Sequence, residues 1–308
     1  MSKSVLGFSA LALLLSAAAP TLAASQGAAF VSGQGSDAAG CGSQTSPCRT
    51  FQFAHDKALG AAGGVIVVHD PANYGALTIT KPLAVLNDGV GTAGMGAGPG
   101  GTAITINAGP SDVITLRGLT LEGLGSASTG IAFNSGGKIE IQKSLIRNFT
   151  QTGIIMTGSA FTYSISDTTV SALPYSGAGG AILVYGESAA ASVVGTLKNV
   201  DVSDNGGGIS VSGSNATILN SNVSNNSAWG IQCAGIGYLS IVNTTINYNT
   251  VGVNAHCNVV LSRTTVQNNQ LGLSLGGVGV GSISTYGDND INFNGAPPLV
   301  TLTPVAKQ

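Results

Sequence analysis

Four phrases between Val194 and Leu275 carry nearly one pattern: LKNVDVSDNGGGISV (197–211), ILNSNVSNNSAWGIQC (218–233), IVNTTINYNTVGVNA (241–255) and LSRTTVQNNQLGLSL (261–275). Their central apolar residues, Val202, Val223, Ile246 and Val266, serve as anchors, separated by 21, 23 and 20 residues. Three residues after each anchor stands an asparagine: Asn205, Asn226, Asn249, Asn269. Three before stand Asn199, Asn220, Asn243 and Arg263. Beyond the second asparagine comes glycine with alternating apolar residues, as in Gly208-Ile209-Ser210-Val211 and Gly252-Val253-Asn254-Ala255.

A period in this range is the signature of a solenoid. The phrases alternate with period two, are rich in Val, Ile, Thr and Ser, and hold no helical run of ten or more residues. That excludes a leucine-rich repeat and leaves an all-β, single-stranded right-handed parallel β-helix with one phrase per coil. Asn and Gly fall where the chain turns, since both tolerate a left-handed backbone. Asparagines of one column are also placed to hydrogen-bond from coil to coil, as in stacked amide ladders. The pattern resembles the pectin-lyase-like superfamily of β-helices. Extending the anchor column gives Leu121, Ile146 and Val170 before the four phrases and Ile291 after them, and Asn294 then joins the asparagine column. The wide gap between Val170 and Val202 places extra loops at 174–180 and 187–191.

Composition bounds the function classes. Charged residues make up 8% of the 308, against about 25% in an ordinary globular chain. The net charge is −2 and no basic face exists to neutralise phosphates, so nucleic acid is not an expected partner. The first residues read as a secretory leader over 1–24: Lys3, an apolar run from Val5 to Ala19, and Thr21-Leu22-Ala23 for cleavage. That run is shorter than the roughly 20 residues that span a bilayer. The expectation is an exported protein, periplasmic or extracellular, with no membrane span in the mature chain.

Residues 25–64 are expected to form an N-terminal cap, 65–295 the β-helix and 296–308 a tail. Within the cap, Thr50–Leu59 reads as a short helix with Thr50 as N-cap and Phe51, Ala54, Ala58 and Leu59 on one face. A solenoid needs such a lid over its first coil. The order Pro47-Cys48-Arg49-Thr50-Phe51, Gly63-Gly64, a strand, Asp70-Pro71, Tyr74-Gly75 and Thr78-Ile79-Thr80-Lys81 resembles the N-terminus of a group of exported bacterial right-handed β-helix repeat proteins. The likeness covers residues 47–83 and implies an architecture without an activity. The glycine-rich stretch 89–101 reads as a loop, a lid or a binding edge.

Four cysteines in an exported chain point to two disulfides. Cys41–Cys48 would pin the cap loop, and Cys233–Cys257, one coil apart, would cross adjacent coils two positions out of register. The lack of CxxC spacing, with only three histidines, speaks against a metal site.

Acid–base chemistry has little material. From Gly206 to Gly287 the only Asp, Glu, Lys or Arg is Arg263. Elsewhere the columns pair charges across coils: Lys143 with Asp167, Glu122 with Arg147, Arg263 with Asp288, each an ordinary sheet contact of roughly 0.2–1 kcal/mol. Lys198, Asp201 and Asp204 are the least explained charges and the candidate catalytic group. The two carboxylates would begin a calcium shell, but calcium needs more oxygen ligands, so no cofactor is expected. The signature clusters that the resemblance would imply for polygalacturonase-like, pectate-lyase-like or epimerase-like sites are missing; His69-Asp70-Pro71 shares only letters with the last. Trp229, Tyr238 and Tyr248, on neighbouring coils, are the candidate sugar-binding aromatics. Two functions stay open: a non-catalytic scaffold presenting a face to a polysaccharide or cell-surface component, or a carbohydrate-active lyase or epimerase acting on an anionic polysaccharide.

Overall fold

A computed structural model describes residues 27–174, 179–187, 192–276, 281–297 and 300–306. The leader expected at 1–24 and parts of the two extra loops lie outside the described residues. Every coil crosses three parallel sheets in turn. Among the described residues the first sheet holds 12 strands, from Gly27–Val31 to Thr303–Pro304; the second holds 10, from Ala72–Asn73 to Asp290–Asn292; the third holds 9, from Leu77–Ile79 to Leu271–Leu275. Ser282–Thr285, next to last in the first sheet, pairs with Thr303–Pro304 of the tail, while Val300 and Leu302 pack on the core.

The anchor column is one continuous row of the second sheet: Leu121, Ile146, Val170, Val202, Val223, Ile246, Val266 and Ile291 lie opposite one another from coil to coil. All but the last are fully buried, and each fills the interior with roughly 1.5–3 kcal/mol of apolar burial. Register is set by this inward stacking, because a slip of one residue would turn every strand inside out. Met95 extends the row one coil earlier. The glycine-rich stretch 89–101 is therefore not a lid: Ala93–Met95 pairs with Ala72–Asn73 and Leu119–Glu122 as a regular rung.

The turns divide labour more finely than the repeat suggests. At the first turn, between the first and second sheets, the left-handed residues are Lys143, Asp167, Asn199, Asn220, Asn243 and Arg263, with φ from 47° to 53°. The next residue points inward, and at every corner but that of Val200 it is a Ser or Thr whose hydroxyl joins a ladder. The Thr244 hydroxyl accepts the Ser221 N–H at 3.4 Å and donates to the Val242 carbonyl at 3.0 Å; the Ser221 hydroxyl accepts the Val200 N–H at 3.2 Å and donates to the Leu219 carbonyl at 2.9 Å. Lys143 and Asp167, expected as an ion pair, do not form one. Both occupy the left-handed corner, and the Asp167 carboxylate instead accepts the Asn199 amide at 2.9 Å. Arg147 and Glu122 do pair, at 2.7 Å. At the Arg263–Asp288 step, the Asp288 carboxylate accepts the Arg263 backbone N–H at 3.1 Å.

At the second turn, between the second and third sheets, the left-handed residue is not the asparagine of the inward column. It is the residue before: Asp204, Asn225, Tyr248, Asn268 and Phe293, with φ from 52° to 60°. That frees the following asparagine to turn inward. Asn205, Asn226, Asn249 and Asn269 are each at most 3% exposed, and their amides form an unbroken ladder. Each Nδ2 donates to the next Oδ1, at 3.0, 2.9, 3.0 and 3.0 Å, ending on Asn294. The same Oδ1 atoms also accept backbone N–H groups of the preceding coil, as Asn249 does from Asn226 at 3.0 Å.

The N-terminal lid closes the stack with side chains that imitate a strand. An α-turn, Phe51–Phe53, N-capped by Thr50, runs into a π-helical turn, Ala54–Ala58. The Gln52 amide meets both backbone groups of Thr78, accepting its N–H at 2.7 Å and donating to its carbonyl at 3.3 Å, and His55 Nε2 accepts the Thr80 N–H at 3.2 Å. Those are the polar groups that an open edge of the third sheet would expose. Asp70 ties the cap to the first coil by accepting the Ser32 hydroxyl, the Gly33 N–H and the Tyr74 hydroxyl. Partial desolvation pushes its carboxyl up, but these hydrogen bonds outweigh that and hold it below the usual range. Disulfides join Cys41 to Cys48 and Cys233 to Cys257; in the second, Cys233 lies opposite Ala255, two residues before its bonding partner.

Candidate functional site

At a left-handed position Asn, Asp and Gly are tolerated, whereas a bulky aromatic residue is an outlier that costs about 1–3 kcal/mol. On the second turn Asn148, Asp204, Asn225 and Asn268 obey that rule, whereas Ala172 (φ 57°), Tyr248 (φ 55°) and Phe293 (φ 52°) break it, as does Leu124 (φ 53°) one position later on its own coil; of these only Tyr248 and Phe293 are aromatic. Neither ring recovers the cost by burial, since Tyr248 is 62% and Phe293 78% exposed. Tyr248 stands in a solvent-open groove between coils, lined by Asn225, Ser227, Thr250, Asn268 and Gln270, with the buried ladder as its floor. The Thr250 hydroxyl donates to the Ser227 carbonyl at 2.8 Å, fixing one wall. Asn268 and Gln270 are exposed. Among the described residues their side-chain amides bond to no other group of the chain, so both amides present a donor and an acceptor to solvent. A second depression, around Phe293, Asn294, Gly295 and Pro297, continues the same edge.

The three aromatics grouped by sequence do not share a surface. Trp229 lies flat on the two preceding coils: a Cβ on Gly207 would come within 2.6 Å of its ring and one on Gly180 within 2.9 Å. Only glycine admits the indole there, so Trp229 is a packing residue. Tyr238, 65% exposed, opens a first-sheet strand on the opposite flank of the coil from Tyr248, beside Val194, Asn215, Thr217 and Ser240. Phe293 escaped the sequence reading, although its place two residues after the anchor Ile291, as Tyr248 follows Ile246, was visible.

Lys198, Asp201 and Asp204 do not converge. Lys198 ends a first-sheet strand, while Asp201 and Asp204 flank the second-sheet strand Asp201–Ser203. Each carboxylate accepts the amide of the residue one coil on, Asp201 from Asn222 at 3.1 Å and Asp204 from Asn225. Among the described residues Lys198 forms no ion pair with either, and no three His, Cys, Asp or Glu side chains gather as a metal site. The other close charges pair locally: Arg117 with Asp88 at 2.5 Å and Lys138 with Glu140 at 2.6 Å. Burial raises the Glu122 carboxyl, but hydrogen bonds from Asn148, Arg147 and the Leu124 N–H prevail and leave it below the ordinary range. Among the described residues no helix is long and apolar enough to cross a membrane.

Residues 161–296 match the family model described as a right handed beta helix region. No curated protein matches the chain. Among solved structures the chain is similar to the pectate lyase Pel9A, at 13% identity and a TM-score of 0.49 over 91% of this chain and 78% of that one. It is similar also to the A-module of the Azotobacter vinelandii mannuronan C-5 epimerase AlgE4, at 15% identity and 0.47 over 80% and 92%. A rhamnogalacturonan lyase aligns at 11% and 0.40 over 83% and 75%. The three parallel sheets, coiled in the same order from the first described strand to the last, make the chain a parallel β-helix, and over residues 161–296 its sequence matches the right handed beta helix model.

Proposed function

We propose that this protein is an exported, non-catalytic scaffold that binds a glycan along the second turn of its coils. The observation that carries the reading is Tyr248. Its ring is held out to solvent on a left-handed backbone, between amides and hydroxyls with unused hydrogen-bonding capacity. An aromatic face flanked by amides is the arrangement that recognises a sugar, whose ring offers an apolar C–H face and a rim of hydroxyls. The candidate carboxylates support a binding role over a chemical one, because Asp201 and Asp204 are engaged by stacked amides at two ends of a strand. Two disulfides and the leader-like first residues support an oxidising compartment outside the cytoplasm.

Affinity electrophoresis of the purified protein through gels containing soluble polysaccharides tests this. The expected result is retardation by at least one glycan, lost in Tyr248→Asn while the fold is kept. Retardation by none of them, or an undiminished effect in the variant, would overturn the assignment. Release of new reducing ends or of unsaturated products absorbing in the ultraviolet would defeat the non-catalytic half of it.

A further inference from the structure

We infer that the ligand of this edge is an electrically neutral, linear polysaccharide lying parallel to the solenoid axis, with one sugar on Tyr248 and another on Phe293. The inference rests on the glycan-binding reading above and adds to it the ligand's charge, direction and register.

Direction follows from the column. Asn247, Gln267 and Asn292 are successive partners in the second sheet, so Tyr248, Asn268 and Phe293, each one residue later, stand in file. The Asn268 N–H donates to the Phe293 carbonyl at 3.2 Å, which joins the last two rungs directly. Adjacent strands are about 4.8 Å apart, so the two aromatic residues, two coils apart, are separated by about 10 Å along the axis. That is comparable to the advance of two sugar units in an extended chain. Asn268 falls midway with its side-chain amide free to meet the hydroxyls of the unit between. A ligand lying across the coils would reach only one ring, and the second outlier would have no use.

Charge follows from what flanks the file. Between Gly206 and Gly287 the single charged residue is Arg263. It occupies the first turn, at the far end of the second-sheet strand, five residues and roughly 15 Å from Asn268. The charges nearest the edge itself are carboxylates, Asp204 on the turn and Asp290 at the start of the last second-sheet strand. Asp290 is exposed and accepts the Gln267 amide at 2.6 Å. A polyuronate laid along this file would meet negative charge at both ends and no cation between, whereas uncharged hydroxyls meet amides throughout.

Isothermal titration with two ladders of defined oligosaccharides tests this on the full chain. One ladder is neutral (β-1,4-linked glucose or mannose) and the other acidic (oligogalacturonate and oligoalginate). Tyr248→Asn, Phe293→Asn and the distant control Tyr238→Asn are run beside the natural protein. The expected result is binding of a neutral series that strengthens until the oligomer spans both rings. Each edge substitution should weaken it by about tenfold or more, and Tyr238→Asn should leave it unchanged. Preference for the acidic ladder with the same dependence on Tyr248 would overturn the neutral assignment while the glycan site stood. Neutral binding that needs Tyr248 but ignores Phe293 and oligomer length would overturn the axial register. Binding of neither ladder nor of any polysaccharide would remove the site altogether. Both edge variants place asparagine at a left-handed position where the same column already uses it, so a change in binding is not confounded with misfolding; melting curves verify that.

Discussion

Asn249 is the middle rung of the amide ladder, and its removal gives the sharpest test of the fold's internal logic. Its Oδ1 accepts both the Asn226 N–H and the Asn226 Nδ2, and its Nδ2 donates to the Val223 carbonyl, the Asn247 carbonyl and Asn269 Oδ1, all within 2.9–3.0 Å. With 2% of the residue exposed, water cannot replace these partners. Asn249→Ala orphans two buried donors on Asn226, at about 1–3 kcal/mol each, so the loss should be about 2–6 kcal/mol, seen as a lower urea midpoint. Asn249→Asp is a more discriminating variant. Its second oxygen would face three acceptors, which raises the folded-state carboxyl above its unfolded value of about 3.9. A raised acid is destabilising where the unfolded chain ionises and the folded one resists. The penalty should therefore be small below pH of about 4, grow as pH rises and level off above the folded value. An alanine variant that loses less than about 1 kcal/mol, or an aspartate variant whose midpoint matches the parent's trend between acidic and neutral pH, would refute the buried ladder.

Three further perturbations have defined outcomes. Gln52→Ala strips the side-chain amide from the backbone of Thr78 at the open edge of the third sheet; a loss of about 1–3 kcal/mol is expected, with faster amide exchange confined to the cap and first coils. Gly207→Ala puts a methyl group 2.6 Å from the ring of Trp229, which must move outward at about 1–3 kcal/mol; because this is the only tryptophan, its emission should shift to the red. Replacing Cys233 and Cys257 by alanine opens a loop of 24 residues and should cost about 3 kcal/mol in the chain-entropy estimate, read as a drop in melting temperature relative to the oxidised parent.

The fold was legible because period-two burial and the coil length are both written in the residues. The anchors from Leu121 to Ile291 need only sequence spacing to be found, and the structure stacks all of them. Turn geometry was less legible. In the doublets Asp204-Asn205, Asn225-Asn226 and Asn268-Asn269 either member suits a left-handed corner, and only burial shows that the first takes it while the second turns inward. The hydroxyl ladder at Ser144, Thr168, Ser221, Thr244 and Thr264 was present as a column two residues before the anchors, but Ser and Thr are so common on strands that the column did not stand out. The site was least legible. Sequence neighbours such as Tyr238 and Tyr248 are half a coil apart in space, whereas Tyr248 and Phe293, 45 residues apart, share one edge. Proximity in a solenoid depends on position within the coil as well as on which coil a residue joins, so Trp229, Tyr238 and Tyr248 can lie on neighbouring coils without sharing a face.

In a repeat array the geometry of a column states which residue belongs at each position, so departures that nothing in the chain compensates are where selection for something besides folding shows. Lys143 and Arg263 break the Asn rule at the first turn, yet their long charged side chains are fully at home in water and only the backbone term is paid. Tyr248 and Phe293 carry two terms of the same sign, a left-handed backbone and an exposed aromatic ring; Leu124, at φ 53° and 78% exposed, carries the same two terms, but its aliphatic side chain offers a sugar no ring to stack on. Replacing both with asparagine should therefore raise stability, by up to about 1 kcal/mol per site from the backbone term alone, while abolishing glycan binding. A rise in melting temperature with loss of binding is the signature of residues kept for a ligand at the expense of the fold. A fall in melting temperature would mean that the two rings support the last coils by contact, and the functional reading of this edge would lose its foundation.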